Sequence, residues 1–114
     1  MARTPEGKTK DSISRVLKAF GVYYFMPVQG GFGAAGVDYH CVVRRGDTAV
    51  AFFIEAKKPG GEPTGRQADF LADRREKQRA KTFVIDDDNH TLAELVQWLE
   101  QIEAYNERFD KATA

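Results

Sequence analysis

Apolar residues at helical spacing dominate the first twenty positions of the chain. Thr4 followed by Pro5 is typical of a helix N-cap and first turn, and Gly21 stops the pattern. The apolar residues between them recur at steps of three and four, as on one helix face: Ile13, Val16, Leu17 and Phe20. The sequence therefore predicts a first helix that begins at Pro5 and ends before Gly21.

The next part of the chain has the pattern of extended segments separated by loops. Residues 23–28 are aromatic and β-branched, which predicts a short strand. Residues 30–36, GGFGAAG, predict a loop, and residues 37–57 predict two strands that meet at Gly46 and Asp47. A glycine at the first position of a two-residue loop favours a primed hairpin turn.

The remaining residues predict two helices and one strand. Residues 59–63 predict a loop and residues 64–80 a charged helix. Residues 81–85 predict a short buried strand, and residues 91–109 a long helix. The order α-β-β-β-α-β-α predicts an α/β fold with a mixed sheet flanked by helices. A chain of 114 residues suits one domain, and we expect residues 1–114 to form it.

Composition excludes several classes of protein. Hydrophobic residues make up 42% of the chain, which favours a packed core over a disordered chain. The single cysteine, Cys41, cannot form an intrachain disulfide, which favours a reducing interior. The longest apolar run, residues 49–54, is far short of a membrane span, and residues 1–12 are too polar for a signal peptide. We therefore expect a cytoplasmic protein with no membrane partner.

The 17 basic and 17 acidic side chains cancel, but they are unevenly distributed. Residues 1–20 carry five basic and two acidic groups, and residues 56–81 carry eight and four. Residues 21–55 carry two basic and three acidic groups, and residues 82–114 carry two and eight. Affinity for phosphate depends on the local field rather than on the total charge. A neutral total therefore does not exclude a nucleic acid partner.

Two carboxylates are predicted to face each other at the open end of the hairpin. With a two-residue turn at residues 46–47, opposite residues have numbers that sum to 93. This register pairs Asp38 with Glu55 and places Lys57 on the same side. Like charges directly opposite destabilise a sheet, whereas a divalent cation between them removes the repulsion. Two alternatives stay open: these side chains form a solvated sheet edge, or a longer loop makes the carboxylates diagonal neighbours.

Two helical residues are predicted to point toward the same place. Glu6 lies seven positions before Ile13, on the inward stripe of the first helix, although the helix dipole also favours an acid there. Gln67 lies three positions before Phe70, on the inward face of the second helix. Thr64 and Gln67 also form a capping-box pattern, which would use the glutamine to close the helix end.

Together these residues resemble a nuclease pattern. Glu6 in a first helix, GVD at residues 36–38, FIEAK at residues 53–57 and Gln67 at the start of the next helix resemble the VRR-NUC family. That family belongs to the PD-(D/E)xK nuclease superfamily. Four elements in this order are more specific than the short acidic motif alone.

The resemblance covers residues 5–86 and implies a restriction-endonuclease-like core. The segment YYFMPVQ at residues 23–29 resembles the small stand-alone members from phages and bacteria. One departure is Val37, because the superfamily motif has proline before the aspartate. Proline at that position shapes the backbone and binds no metal, so every ligand position is still present.

The resemblance also implies a metal site and a reaction. Its chemistry would be hydrolysis of a DNA phosphodiester by an activated water, dependent on Mg²⁺ or Mn²⁺. Lys57 would be the catalytic lysine and Gln67 a residue that supports the site. The metal ligands would be Asp38, Glu55, the main-chain carbonyl of Ala56 and, directly or through water, Glu6.

For the whole protein, the resemblance implies a homodimeric endonuclease selective for branched DNA such as Holliday junctions. Its setting would be the cytoplasm of a bacterium or of a phage-infected host cell. One alternative is a nuclease for ordinary duplex or single-stranded DNA, with nicking or degradative activity. Another is a DNA-binding accessory protein that has this fold and does not cleave, although binding alone does not require buried like charges.

Three other patterns were weighed against this hypothesis. Residues 31–36 match GxGxxG, but a strand is predicted where the dinucleotide fingerprint needs a helix N-terminus, so we expect no nucleotide cofactor. His40 shares the side of Asp38 and is expected to be a packed neighbour. In the last helix, Trp98 and Tyr105 widen the apolar surface, which predicts a dimer contact besides packing on the sheet.

Overall fold

The computed structural model describes residues 4–27, 36–86 and 90–114. In these residues the predicted order of elements, α-β-β-β-α-β-α, is confirmed. The elements are α1 (Pro5–Ala19), β1 (Tyr23–Phe25), β2 (Tyr39–Arg45), β3 (Thr48–Ala56), α2 (Gly65–Lys77), β4 (Lys81–Ile85) and α3 (Thr91–Thr113).

The four strands form one mixed sheet in the order β1-β2-β3-β4. The pairs β1–β2 and β2–β3 are antiparallel, whereas β3 and β4 are parallel. A parallel pair needs a crossover connection, which α2 provides here. The predicted mixed α/β sheet is therefore confirmed.

The hairpin of β2 and β3 has the predicted register. Tyr39 lies opposite Ile54 at one end of the ladder, and Arg45 lies opposite Thr48 at the other. Gly46 opens the turn with a φ of 65°, a left-handed value that glycine adopts readily. Its N–H donates to Oδ1 of Asn106, at 2.6 Å, so α3 holds the turn in place.

The core lies between one face of the sheet and the helices α1 and α3. Alternate residues of β2 and β3 point into it because successive side chains of a strand face opposite sides. Helix α2 covers part of the other face, where its Phe70 ring contacts His40 and Phe53. The largest fully buried side chains are Ile13, Leu17, Tyr39, Phe52, Ile54, Ile85, Leu95 and Leu99.

Two element boundaries differ from the sequence prediction for local reasons. Strand β1 ends at Phe25 because Pro27 has no N–H for the ladder and disfavours regular pairing near it; residue 28 of the predicted strand lies outside the described residues. Helix α2 ends at Lys77 rather than at residue 80. Arg79 is left-handed there (φ 57°), which terminates the helix.

The wide apolar surface predicted on the last helix is used inside the chain. Trp98 packs on Phe52 and Phe83, with ring centroids at 4.8 and 5.6 Å. Tyr105 stacks on Phe109 and lies under the guanidinium of Arg45. The predicted packing of this helix on its own sheet is therefore confirmed, and a dimer contact through the partly buried rings stays a prediction. Within the described ranges, no helix is both long and apolar enough to cross a membrane.

Candidate active site

At the open end of the hairpin, the carboxylates of Asp38 and Glu55 each accept a hydrogen bond from the main chain of the opposite strand. The main-chain N–H of Asp38 donates to Oε1 of Glu55 at 3.1 Å. The main-chain N–H of Ala56 donates to Oδ2 of Asp38 at 2.8 Å. These two bonds continue the hairpin beyond its last ladder pair, with side-chain oxygens in place of main-chain carbonyls. The carboxylates are therefore brought together as the register predicts.

Burial makes this pair of carboxylates chemically unusual. Glu55 is 1% exposed, and it is one of two buried polar side chains in the described part of the chain. Removal from water, followed by the nearby Asp38 carboxyl, raises the pKa of Glu55 to about 8, while Lys57 opposes the shift. The fold thus holds two acids where a second negative charge is unfavourable without a bound cation.

Each carboxylate is paired with one lysine. Lys57 Nζ lies 3.5 Å from Glu55 Oε2, as expected from their shared side of β3. Lys10 Nζ lies 3.2 Å from Asp38 Oδ1. Lys10 is not among the site residues predicted from the sequence, although its position four residues after Glu6 and three before Ile13 puts it on the inward stripe of α1.

A buried phenol fixes α1 against the hairpin beside this site. The Tyr39 hydroxyl donates to the main-chain carbonyl of Lys10 at 2.9 Å. It lies 2.8 Å from Ser14 Oγ, which must donate because the phenol has one proton. Burial raises the pKa of Tyr39 to about 12, so the hydroxyl stays protonated. Because Tyr39 directly follows Asp38, this network sets the position of Lys10 relative to the carboxylates.

The structure places Glu6 and Gln67 in other contacts. Glu6 is partly exposed and lies 3.9 Å from Lys10, which stands between it and Asp38. The Gln67 amide oxygen accepts from the N–H of Thr64 at 2.8 Å, which completes a capping box at the start of α2. The capping box that was the alternative prediction for Gln67 is therefore present. The roles of both residues at the metal stay predictions.

The donor set fits a hard divalent cation. Within residues 4–27, 36–86 and 90–114, no cluster of three acidic, histidine or cysteine side chains could hold a metal. Mg²⁺ nevertheless needs only one or two carboxylates, since water and substrate oxygens complete its shell. The oxygens of Asp38 and Glu55 accept from main-chain N–H groups and lie near two lysines, and with two lone pairs on each oxygen the pair keeps acceptor capacity for a cation. The carbonyl of Ala56 faces the Asp38 edge, as its N–H does, because both groups of a strand residue point the same way.

His40 lies next to this site as a packed aromatic residue. Its ring contacts Phe25, Phe53 and Phe70. Nε2 is buried and has no hydrogen-bond partner in the described part of the chain. Burial, and then the positive charge of Arg74, lower the pKa of His40. The histidine is therefore neutral near pH 7 and belongs to an aromatic cluster.

The glycine pattern at residues 31–36 lies mostly outside the described residues. Gly36 is described, and the chain continues from it into Asp38 and β2. A strand thus follows the pattern, as predicted, where a dinucleotide fingerprint has a helix N-terminus.

A comparison with solved structures supports the fold of the chain. A structure described as "VRR_NUC domain" matches at a probability of 1.00 and a TM-score of 0.60. The match covers 90% of this chain and 98% of that chain. The chain has the VRR_NUC fold. The resemblance seen in the sequence is thus confirmed for the fold.

The similarity lies in structure far more than in sequence. Identity to the VRR_NUC structure is 19%. No protein-family model matches the sequence, and no curated protein matches it. The assignment of chemistry to a chain with the VRR_NUC fold therefore depends on its own side chains, and above all on Asp38, Glu55 and Lys57.

Proposed function

We propose that this protein is a Mg²⁺- or Mn²⁺-dependent DNA endonuclease. One observation carries the proposal. The carboxylates of Asp38 and Glu55 each accept a hydrogen bond from the main chain of the opposite strand at the end of the hairpin, and Lys57 contacts Glu55, the more buried of the two. A glutamate that is 1% exposed beside another acid is unfavourable for folding when it ionises; Lys10 and Lys57 offset part of this cost, and a bound cation would offset more of it. The VRR_NUC fold supports the general assignment as a nuclease.

In this proposal the chain supplies the metal ligands and positions the reacting groups. Asp38, Glu55 and the Ala56 carbonyl would hold the cation, which supplies Lewis-acid stabilisation and a more acidic bound water. Lys57 lies 15% exposed beside Glu55. Its ammonium can orient the attacking water or stabilise the negative charge that develops on the phosphate. Gln67 would support the substrate side of the site from the first turn of α2.

Lys10 and Glu6 form the second side of the proposed site. The Lys10 ammonium neutralises Asp38 and lies within reach of Glu6. Glu6 would therefore contact the cation through water, or directly once Lys10 moves away.

The finer substrate proposal is branched DNA, such as a Holliday junction, cut by a homodimer. A four-way junction is resolved by two incisions, and one chain contains one pair of carboxylates. Pairing of two copies would supply the second site. The protein's proposed setting is the cytoplasm of a bacterium or of a phage-infected host cell.

Two other functions remain as outcomes of the test. A nuclease for ordinary duplex or single-stranded DNA would use the same carboxylates and lysine. A non-cleaving DNA-binding protein on the same fold would bind DNA without needing the metal.

The decisive experiment uses purified protein with labelled four-way junction, flap, linear duplex and single strand. Each substrate is incubated with Mg²⁺, Mn²⁺ or a chelator, and the products are resolved on a denaturing gel. We expect metal-dependent cleavage that is fastest on the junction. Equal rates on junction and linear duplex would overturn the branched-DNA proposal and leave the nuclease standing. Sedimentation velocity with and without junction tests the homodimer.

Lys57→Ala and Lys58→Ala form a matched pair for the active site. Lys58 is the next residue and is exposed, so the two variants lose the same charge from the same loop. Loss of a group that stabilises transition-state charge costs about 10²–10³ in rate, and we expect this loss for Lys57→Ala only. Metal-independent cleavage, or full activity of Lys57→Ala, would contradict the assignment.

A further inference from the structure

An aromatic surface on the sheet lies next to the proposed active site and is left open. Tyr23 and Phe25 of β1 are 69% and 55% exposed, and Val42 of β2 is 41% exposed. Tyr23 pairs with Val42, and Phe25 pairs with His40, so all four side chains share one face of the sheet. Tyr23, Phe25 and Val42 are called the open aromatic face below.

This face is continuous with the carboxylates. Asp38, His40 and Val42 alternate along β2 and its leading residue, so they lie on the same side of the sheet. Phe25, opposite His40, is one step from Asp38, at about 7 Å along the strand, and Tyr23 is two steps away. A chain bound at the carboxylates and running along β2 would therefore meet the two rings in succession.

The geometry of the rings suits bases that are not stacked on each other. Residues two apart in a strand are about 7 Å apart, which is twice the roughly 3.4 Å rise of stacked bases in a duplex. Paired bases present only their edges to a protein, whereas unpaired bases offer a face to an aromatic ring. Sheets with exposed aromatic residues bind single strands in this way.

The charges on either side of the sheet favour nucleic acid on this face. Helix α2 and its flanking loops, residues 57–80, carry seven basic and four acidic groups and adjoin the face. There the Arg74 guanidinium lies 4.5 Å from the Phe70 ring, which contacts His40 in turn. Helices α1 and α3 pack on the opposite side and together carry six basic and seven acidic groups. Phosphates are therefore attracted more strongly to the α2 side than to the opposite side.

A second copy of the chain is a poorer occupant. A fully buried aromatic side chain covers about 150–250 Å², so the exposed parts of Tyr23, Phe25 and Val42 amount to roughly 300 Å². A stable dimer buries about 800 Å² on each partner. The open aromatic face alone is therefore too small for a dimer, whereas stacking needs only one ring for each base.

We propose that Tyr23 and Phe25 form a stacking platform for unpaired bases beside the cleaved phosphodiester. Within branched DNA, the platform would then favour branch points at which a nucleotide within one or two positions of the cut is unpaired or extruded. This inference rests on the proposed nuclease function for its biological meaning, but the binding surface is tested separately.

The test measures binding in a chelator, where no cleavage occurs. Single-stranded, gapped and fully paired oligonucleotides of one sequence carry the fluorescent base 2-aminopurine. The proteins are the wild type, Tyr23→Leu, Phe25→Leu, the double leucine variant and Tyr23→Trp. Leucine keeps an apolar side chain and removes the ring, and tryptophan keeps a ring. Both substituted positions are exposed, and circular dichroism confirms that each variant is folded.

We expect the wild type to quench 2-aminopurine in single-stranded and gapped DNA and not in the paired duplex. The double leucine variant should bind the single strand at least about tenfold more weakly, with duplex affinity within about twofold. Tyr23→Trp should retain both the quench and the affinity. Equal affinity of the leucine variants and wild type, or an equal loss on duplex, would overturn the platform.

The outcomes also separate the platform from the nuclease. If the wild type cuts no DNA with Mg²⁺ or Mn²⁺ but shows ring-dependent quenching, the platform stands and the proposed function fails. If it cuts gapped and paired DNA equally and the leucine variants cut as fast, the nuclease stands and the platform fails. A wild-type dimer that dissociates on the double leucine substitution would assign the face to a second copy and overturn the platform.

Discussion

Lys10 Nζ lies 3.2 Å from Oδ1 of Asp38, although the two residues come from different elements, α1 and the start of the hairpin. The other oxygen of the same carboxylate accepts from the N–H of Ala56. Asp38 is therefore held from two sides. One of its two partners is the Lys10 ammonium, with which a bound divalent ion would compete.

Lys10→Met should tighten metal binding. Removing the ammonium leaves Asp38 Oδ1 available to the cation and removes a positive charge close to it, an interaction of a few kcal/mol at most near a protein surface. We expect the dissociation constant for Mn²⁺ to fall by about tenfold, measured by calorimetric titration. Lys18→Met removes the same charge from the exposed far end of α1 and should leave affinity unchanged. An unchanged or weaker affinity for Lys10→Met would show that the lysine does not compete.

Glu55→Gln should stabilise the metal-free protein at alkaline pH. The pKa of Glu55 is raised from 4.5 to about 8 on folding. Between these values the unfolded chain releases a proton that the folded chain keeps, so this group's contribution to stability is full below pH 4.5 and is lost as pH rises. Glutamine has the same shape and does not ionise. We expect the melting temperature of the Glu55→Gln protein in chelator to exceed that of the wild type by roughly 5 °C at pH 8–9.

The same comparison near pH 4 should show almost no difference, because Glu55 is then protonated in both states. Glu62→Gln, at an exposed position, controls for the general effect of one lost charge. A Glu55→Gln protein that melts below the wild type at pH 9 would contradict the unfavourable burial of this carboxylate.

Gly46→Ala should destabilise the hairpin turn through its contact with α3. A Cβ at this position would lie 3.1 Å from Tyr105 and 3.2 Å from Phe109. Gly21→Ala is the matched control, because Gly21 has φ 66° and nothing within 4 Å of its added Cβ. Both variants carry the left-handed backbone cost of about 1–2 kcal/mol. We expect Gly46→Ala to lose about 1–3 kcal/mol more in urea unfolding, from crowding alone; equal losses would exclude that contact.

Tyr39→Phe should loosen α1 from the hairpin. The substitution removes the hydroxyl that donates to the Lys10 carbonyl, so about 1 kcal/mol of unfolding free energy should be lost. Ser14→Ala removes the bond at the other side of the phenol and leaves the Lys10 contact in place. We expect only Tyr39→Phe to change cleavage rate as well as stability, because only it frees Lys10. Equal effects of the two variants on cleavage would assign the network a purely structural role.

The sequence predicts the parts of the site that depend on local geometry. The two-residue turn at Gly46 fixes the strand register, and the register alone brings Asp38 opposite Glu55. Lys57 follows from the same alternation. These contacts arise within a single hairpin, where spacing along the chain decides position in space.

The parts that the sequence did not predict depend on contacts between distant elements. Lys10 reaches Asp38 only because Tyr39 anchors α1, and helical periodicity does not show which charged residue on a stripe will find a partner. The intrachain contacts of Trp98 also depend on elements that are distant along the chain. Trp98 lies beside the apolar stripe, but the sheet extends far enough for Phe52 and Phe83 to cover it.

The two-residue turn has a consequence for how the chain tolerates insertions. Gly46 lies eight residues from Asp38, about 27 Å along an extended strand. One residue added there would either enlarge the turn that Asn106 holds or shift the ladder, and a shifted ladder would move the side chains of one strand to the opposite face and separate the carboxylates at the far end. The length of this turn, whose Gly46 is buried against α3, is thus a requirement of the site alongside the identity of its acids.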